Sequence, residues 1–195
     1  MLFDRDMTKL RIAVVLGSTR PGRKGEGVAR WVLEHAQDRE AADYELVDLK
    51  TFDLPLLCEP TVPGSANRRY EVPQTREWSA TIDRFDGFVW VTPEYNHGVP
   101  AAMKNALDVL YPEWGFKGFG IVSYGSDGGT RATEQWRGIL ANVMGTVVRH
   151  QVALYEFLDW DDDGAFAPVD RRPGELDNLL DLLERTTKAL APLRA

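Results

Sequence analysis

The feature that most constrains this chain is the regular alternation of short aliphatic runs with amphipathic stretches along its 195 residues. The run LRIAVVLG at 10–17 is almost continuously apolar, which is typical of a strand buried on both faces. The pattern predicts strands at 10–17, 44–49, 87–93, 118–125 and 146–154, and helices at 27–40, 75–85, 99–110, 131–144 and 175–190. Such alternation favours an α/β fold in which helices cover both faces of a parallel sheet.

The length predicts a single domain over residues 1–195, with residues 1–9 as a disordered tail. Proline and glycine are frequent between 53 and 74, so we expect a long loop there inside the domain. The acid-containing N-terminal stretch has no apolar segment, and no run of about 18 apolar residues occurs, so neither a signal peptide nor a membrane span is expected.

The net charge of −7 argues against a nucleic-acid partner, because such proteins usually present a basic face. The chain has one cysteine, Cys58, which excludes an internal disulfide and favours a cytoplasmic location. Apolar neighbours predict that this thiol is buried and inert.

Ligands of parallel α/β sheets bind beyond the carboxyl ends of the strands, and the first loop there is GSTRPGRKGEG at 17–27. A P-loop would need Lys and then Ser or Thr after its second glycine. Here Arg23 and Lys24 follow Gly22, so the hydroxyl that would bind Mg²⁺ is missing.

A dinucleotide fingerprint is the second possibility for this loop. Gly25 and Gly27 would begin it, but Arg30 stands at the position of its third glycine. Asp48, at the end of the next predicted strand, has the place of a ribose partner. The fingerprint should, however, follow the first strand at once, and 17–24 intervenes.

A site for one terminal phosphate fits the loop better. Ser18 and Thr19 offer hydroxyls, and Arg20 offers a bidentate donor to phosphate oxygens. The glycines let backbone N–H groups face an anion at a helix N-terminus. On the loop alone, a solvated basic turn remains the alternative.

A second loop follows the strand at 87–93 and reads TPEYNHG. A buried strand that ends in an aromatic ring, an amide and an imidazole favours a flat, polar ligand. The alternative is a turn and helix cap, with Asn96 as the capping residue and Tyr95 packed on the surface.

With these motifs the chain resembles the NAD(P)H-dependent FMN reductases and the related quinone, azo-dye and chromate reductases. The resemblance spans roughly 10–155 and rests on GSTR, on PEYNHGVPAAMKNALD at 93–108 and on SYGSDGGTRATEQWR at 123–137. It implies a flavodoxin-like three-layer α/β sandwich whose five parallel strands have the order 2-1-3-4-5.

The resemblance also implies which residues bind FMN. Ser18 and Arg20 would hold the phosphate with the backbone of the turn Gly25, Glu26 and Gly27. Arg23 and Gly25 stand where some members have Ser and Asn, so backbone amides or Arg23 would replace those contacts. The isoalloxazine would be lined by Pro93, Glu94, Tyr95, Asn96, His97 and Gly98, and closed on one side by Ser123, Tyr124 and Gly125.

The implied activity is hydride transfer from NADPH or NADH to FMN, followed by reduction of a second small-molecule acceptor by a ping-pong mechanism. Backbone N–H groups of the Tyr95–Gly98 turn would stabilise charge on the reduced flavin. No side chain needs to act as an acid or base, so no catalytic residue is predicted. His97 as a proton donor is the alternative, because free imidazole titrates near neutral pH.

The resemblance further implies a homodimer or a homotetramer, with the helix from Pro100 and the Trp114 region as expected contacts. Quinone, free flavin, azo dye and metal oxyanion all remain as acceptors, and NADPH is not distinguished from NADH. A flavodoxin-type electron carrier that never meets nicotinamide is the alternative function.

One further motif, DWDDDGAFAPVD at 159–170, approaches a calcium-binding loop. Its twelfth position is Asp170 instead of Glu, and Pro168 lies inside it. We therefore predict an acidic, turn-rich connection into the last helix, and no metal site.

Overall fold

The computed structural model describes residues 9–194, so the predicted tail, apart from Lys9, lies outside the described residues. The strands are β1 (Leu10–Leu16), β2 (Ala42–Asp48), β3 (Gly87–Pro93), β4 (Gly118–Gly125) and β5 (Thr146–Tyr155). The α-helices are α1 (Gly25–Ala36), α2 (Pro63–Ala66), α3 (Pro73–Asp83), α4 (Ala101–Asp108), α5 (Thr130–Asn142) and α6 (Arg172–Leu190).

The five strands form one parallel sheet in the order β2-β1-β3-β4-β5, which confirms the predicted fold. Strand order reverses between β1 and β3, so the loops that follow these two strands diverge at the carboxyl edge of the sheet.

Alternate residues of each strand face opposite helix layers. In β3, Phe88 and Trp90 pack with α3, α4 and α5, whereas Val89 and Val91 pack with α1 and α6. All four side chains are fully buried. Burial on both faces explains why β3 is an unbroken apolar run in the sequence.

Several element boundaries differ from the prediction. Helix α1 begins at Gly25 and not at residue 27, because packing of its Val28 and Val32 on the sheet outweighs the low helix propensity of glycine. The predicted loop 53–74 contains α2 and the start of α3, and both helices have proline in their first turn.

The prediction that the Cys58 thiol is buried is wrong. Cys58 is exposed, because the apolar segment around it runs over the surface. Trp114 is fully buried and packs edge-on against Trp90, so a subunit contact in this region, which stays a prediction, would be made by its neighbours.

The connection between β5 and α6 is held by a buried ion pair. Arg172 donates to both carboxylate oxygens of Asp159 at 2.9 Å, and the N–H groups of Tyr155 and Val169 donate to the same carboxylate. Asp159, the first residue of the calcium-like motif, therefore already accepts hydrogen bonds from the protein itself. Within residues 9–194, no helix is both long and apolar enough to cross a membrane.

Candidate functional site

A cavity of about 270 Å³ opens at the carboxyl edge of the sheet, close to the lower limit for small-molecule sites. The loops after β1, β3, β4 and β5 contribute its walls. It is lined by Ser18, Arg20, Gly22, Arg23, Lys24, Pro93, Glu94, Tyr95, Tyr124, Gly125, Ser126, Glu156 and Trp160.

The loop between β1 and α1, residues 17–24, is named the phosphate loop below. Its Ser18 is 2% exposed, and the Ser18 and Tyr95 hydroxyl oxygens are 3.0 Å apart. Only one O–H donates in such a pair, so the other can still donate to a ligand. The loop therefore presents a hydroxyl donor where the β3 turn meets it.

Glycine at position 25 permits a close approach between α1 and β4. A Cβ there would lie 2.6 Å from the Tyr124 hydroxyl oxygen and 2.8 Å from Leu16 Cδ1. No side chain caps the N-terminus of α1, so its first N–H groups and the positive end of its dipole are available to an anion.

The Tyr124 hydroxyl is the polar atom that the structure leaves unpaired in this cavity. It is buried and has no hydrogen-bond partner among the described residues. Burial raises the pKa of Tyr124 above its usual value, and the nearby Ser18 hydroxyl, which is not in hydrogen-bond geometry with it, opposes this only in part, so the group remains a protonated donor. A buried donor without an acceptor is costly, which indicates that a ligand atom completes it.

Three basic side chains line the cavity, and they differ in how they are paired. Arg23 forms an ion pair with Asp48, and the Lys24 Nζ atom lies 2.6 Å from Glu156 Oε1. Arg20 is exposed and has no carboxylate within ion-pair distance in residues 9–194. Its guanidinium is therefore the charge in the phosphate loop that is open to an anion.

The turn after β3 is a two-residue hairpin. Tyr95 and Gly98 exchange two backbone hydrogen bonds of 3.0 Å, and Asn96 and His97 both have positive φ, of 49° and 62°. The amide of Gln135 fixes the turn by donating to the His97 carbonyl at 2.8 Å. In the described part of the chain the N–H groups of Asn96 and His97 have no acceptor, so the turn presents two donors.

Glu94 lines the cavity, but its carboxylate forms hydrogen bonds with the start of α5. Its carboxylate accepts from the N–H groups of Arg131 and Ala132 at 2.9 and 3.2 Å, at the start of α5, and from the Arg131 guanidinium at 3.1 Å. Glu94 thereby caps α5 and joins the β3 turn to the loop after β4.

The structure places half of the predicted site residues in the lining of one cavity. Ser18, Arg20, Pro93, Glu94, Tyr95, Tyr124 and Gly125 line it. Gly25, Glu26 and Gly27 form the first turn of α1, and Asn96, His97 and Gly98 form the hairpin beside the cavity. Ser123 is fully buried, and its hydroxyl donates to the Gly128 carbonyl.

Sequence reasoning missed the contribution of β5. Glu156 and Trp160 line the cavity, and the Lys24 ammonium lies 5.3 Å from the centre of the Trp160 ring. The signal that could have found them is their position just after the carboxyl end of β5, the same rule that located the other loops.

Comparisons with known proteins agree with this geometry. A family model described as NADPH-dependent FMN reductase matches residues 10–159. An NAD(P)H-dependent FMN reductase of Nectria sp is 37% identical over 151 residues, which are 75% of this chain and 75% of that protein. A quinone reductase of Escherichia coli K12 is 31% identical over 140 residues, 68% of this chain and 70% of that protein.

A solved structure shares the fold. The flavoenzyme NAD(P)H:(acceptor) oxidoreductase FerB from Paracoccus denitrificans superimposes with a TM-score of 0.70 at 21% identity, covering 91% of this chain and 98% of that one. The family model spans most of the described strands and helices and every residue that lines the cavity except Trp160. The chain therefore belongs to the NADPH-dependent FMN reductase family and is an FMN oxidoreductase that uses NAD(P)H.

Proposed function

We propose that the cavity holds FMN, with its phosphate at the phosphate loop and its ring along the β3 turn, and that both substrates react there in sequence. The observation that carries this proposal is the buried, unpaired Tyr124 hydroxyl against the first turn of α1. When bound, FMN supplies the redox chemistry, because it accepts a hydride from NAD(P)H and passes two electrons to an acceptor.

The phosphate end combines several kinds of donor. Tyr124 and the Ser18–Tyr95 pair supply hydroxyl groups, α1 supplies uncapped N–H groups, and Arg20 supplies a positive charge. Such a set suits a dianionic terminal phosphate better than a neutral ligand. Glycine at position 25 keeps the first turn of α1 close to the Tyr124 hydroxyl, because a Cβ there would lie 2.6 Å from that oxygen.

The ring end offers donors on a rigid support. The free N–H groups of Asn96 and His97 would stabilise negative charge on the flavin ring, and Gln135 holds the hairpin that carries them. Pro93, Tyr95 and Gly125 would line the ring. The Glu94 carboxylate would hold the two loops together, because its oxygens already accept from α5.

No side chain of the cavity is assigned as an acid or base. His97 is exposed at the tip of the hairpin, where its backbone N–H is the useful group. We propose that its imidazole contributes shape and not proton transfer.

One cavity used in turn by NAD(P)H and by the acceptor gives a ping-pong mechanism. A quinone is a reasonable acceptor, because the related Escherichia coli protein is a quinone reductase. Initial rates at several fixed acceptor concentrations should give parallel double-reciprocal lines. Intersecting lines would contradict the proposal that the two substrates share one pocket.

We also propose a homodimer, or a homotetramer built from it, in the cytoplasm. The segment after β2 exposes Leu56 and Val62, which are 78% and 71% exposed, and Leu56 lines a surface pocket with the exposed residue Ala101 of α4. Exposed large apolar side chains of this kind mark association surfaces when they cluster. Light scattering on the purified protein gives the mass in solution.

Anaerobic mixing of the FMN-loaded protein with NADPH or NADH tests the function. We expect the visible absorption of oxidised flavin to bleach, and to return when a quinone is added. A protein that binds FMN but does not bleach would be an electron carrier. A protein that stays colourless after FMN is added would refute the FMN site itself.

A further inference from the structure

Arg23 is the side chain that ties the phosphate loop to the rest of the sheet. Its guanidinium donates to the Ser18 carbonyl at 2.7 Å and to the two Asp48 oxygens at 2.7 and 2.5 Å, while its Nε donates to Glu26 at 2.8 Å. The Arg23 side chain is 6% exposed. Four hydrogen bonds thus join Arg23 to the start of the loop, to β2 and to the first turn of α1.

Asp48 is a fixed partner because it is the last residue of β2. Its Oδ1 also accepts from the Lys50 N–H at 3.0 Å. Burial opposes ionisation of Asp48, but the hydrogen bonds from Arg23 and Lys50 outweigh it and hold the pKa of this carboxyl below its usual value. The pair is therefore charged at neutral pH, and the charge of Arg23 is already balanced.

We infer that Arg23 is a positioning residue for the phosphate of FMN: through Asp48 it fixes the phosphate loop, and it does not itself bind the phosphate. The inference rests on the proposed function of the cavity. Arg20 then provides the open charge, while Arg23 provides the conformation in which Ser18 and α1 face the ligand.

The phosphate loop needs such a support, because residues 17–24 form no helix or strand. Ordering a flexible residue costs roughly 1–2 kcal/mol, and a loop that is already ordered avoids this cost on binding. The bond from Arg23 to the Ser18 carbonyl closes the loop near its start, and the pair with Asp48 anchors it to the edge strand.

A direct role of Arg23 as phosphate ligand is the competing account, and it makes the opposite prediction for Asp48. If Arg23 bound phosphate, Asp48→Asn would release a competing carboxylate, and FMN binding would tighten or stay the same. If Arg23 positions the loop, Asp48→Asn breaks the anchor, and FMN binding weakens although the protein becomes less negative.

The test is titration of the full-length apoprotein with FMN and with riboflavin, followed by flavin fluorescence. We expect Asp48→Asn to weaken FMN binding about tenfold, a loss of the size of one charge-assisted contact, and to leave riboflavin binding within about twofold. Asp43→Asn is the matched control. It removes the same charge from the other end of β2, where Asp43 pairs with Lys9 at the surface.

Two further variants complete the design. Arg23→Lys keeps the charge but not the bidentate geometry, so it should weaken FMN binding as Asp48→Asn does. The double variant Arg23→Ala with Asp48→Ala should weaken FMN binding no more than Arg23→Ala or Asp48→Ala alone, because each single change already breaks the link between Arg23 and Asp48. Riboflavin binding in each variant reports that the ring pocket is folded.

The outcomes separate the two proposals. Tighter or unchanged FMN binding by Asp48→Asn, with riboflavin binding retained, would overturn the positioning role of Arg23 and leave the FMN site in place. Equal loss of FMN and riboflavin would also overturn it, because the pair would then support the whole fold. No FMN binding by the unchanged protein would instead refute the proposed function.

Discussion

The buried, unpaired Tyr124 hydroxyl is expected to lower the stability of the apoprotein. A buried donor without a partner destabilises a protein by about 1–3 kcal/mol, and among the described residues the Tyr124 hydroxyl is such a donor in the cavity that we propose for FMN. A residue kept at such a cost is explained when the ligand supplies the missing acceptor.

Tyr124→Phe should therefore separate stability from binding. We expect the free energy of unfolding of the apoprotein to stay the same or rise by about 1 kcal/mol, while FMN binding weakens by about 1.5–3 kcal/mol. Urea unfolding and FMN titration measure the two quantities. Tyr70→Phe is the control, because the Tyr70 hydroxyl donates to Glu113 at 3.0 Å and its loss should destabilise the protein without weakening FMN binding.

Arg20→Ala tests the open charge of the phosphate loop. Removal of a charge-assisted contact should weaken FMN binding by about 1.5–3 kcal/mol and leave riboflavin binding unchanged. Arg30→Ala removes the same charge from an exposed position on α1 and should change neither affinity by a comparable amount. FMN binding by Arg20→Ala equal to that of Arg30→Ala would exclude Arg20 from the site.

At this scale the sequence predicts residue types better than their pairing. Ser18 and Arg20 could be named because they directly follow the β1 strand in a recognisable motif. The bond of Arg23 to Asp48 could not, because it depends on how β2 lies beside β1, where Leu16 pairs with Asp48. Sequence reasoning instead assigned Asp48 as a possible ribose partner.

At the scale of the element, boundaries were harder to predict than the elements themselves. Strands such as β3 have a strong apolar signal, because both their faces are buried. The start of α1 has no such signal, since Gly25 and Gly27 disfavour a helix locally, and only packing against the sheet and Tyr124 explains why it begins there. Tertiary contact thus decided where the helix at the proposed phosphate site begins.

The hairpin after β3 allows a test of the role of His97. Both central residues have positive φ, a conformation that glycine adopts without strain, so His97→Gly makes the favoured Asn-Gly turn. We expect stability to rise by up to about 1 kcal/mol, with FMN binding retained. The rate of flavin reduction by NADPH, measured by stopped flow, should remain within about threefold, well below the 10²–10⁴-fold contribution of a proton-transfer group.

Asn96→Gly serves as the comparison, because it changes the neighbouring position of the same turn. A reduction rate that falls at least about 100-fold in His97→Gly but not in Asn96→Gly would show that the imidazole transfers a proton. Equal, small changes in both variants would leave the backbone N–H as the functional group of this position.

On the scale of the whole molecule, the sheet joins two helix layers, and we propose that they unfold as one domain. The tryptophans report on both layers: Trp78, Trp90 and Trp114 lie on the α3 side, and Trp160 lies on the α6 side. Far-ultraviolet circular dichroism and tryptophan fluorescence should give coincident urea transitions.

From the buried pair Asp159–Arg172 we predict how the stability of the domain changes at acid pH. Burial opposes ionisation of Asp159, but hydrogen bonds from Arg172 and from two backbone N–H groups hold its pKa below the usual value near 4. A carboxyl whose folded pKa is lowered stabilises the protein above its unfolded pKa, and this stabilisation is lost as the pH falls towards the folded pKa. Stability should therefore decline below about pH 4, as Asp159 begins to bind a proton on unfolding.

Asp159→Asn isolates that contribution. Among residues 9–194 the change leaves Arg172 with Glu175 as its one charged partner, so at pH 7 we expect a loss of about 3–5 kcal/mol in the free energy of unfolding. Urea unfolding between pH 7 and pH 3 should then show a shallower decline than in the unchanged protein, because one proton-linked group has been removed. Asp43→Asn, at an exposed pair, should keep the original slope. Parallel curves for Asp159→Asn and the unchanged protein would mean that acid acts through other carboxyls, and that the buried pair fixes the β5–α6 connection without setting its pH response.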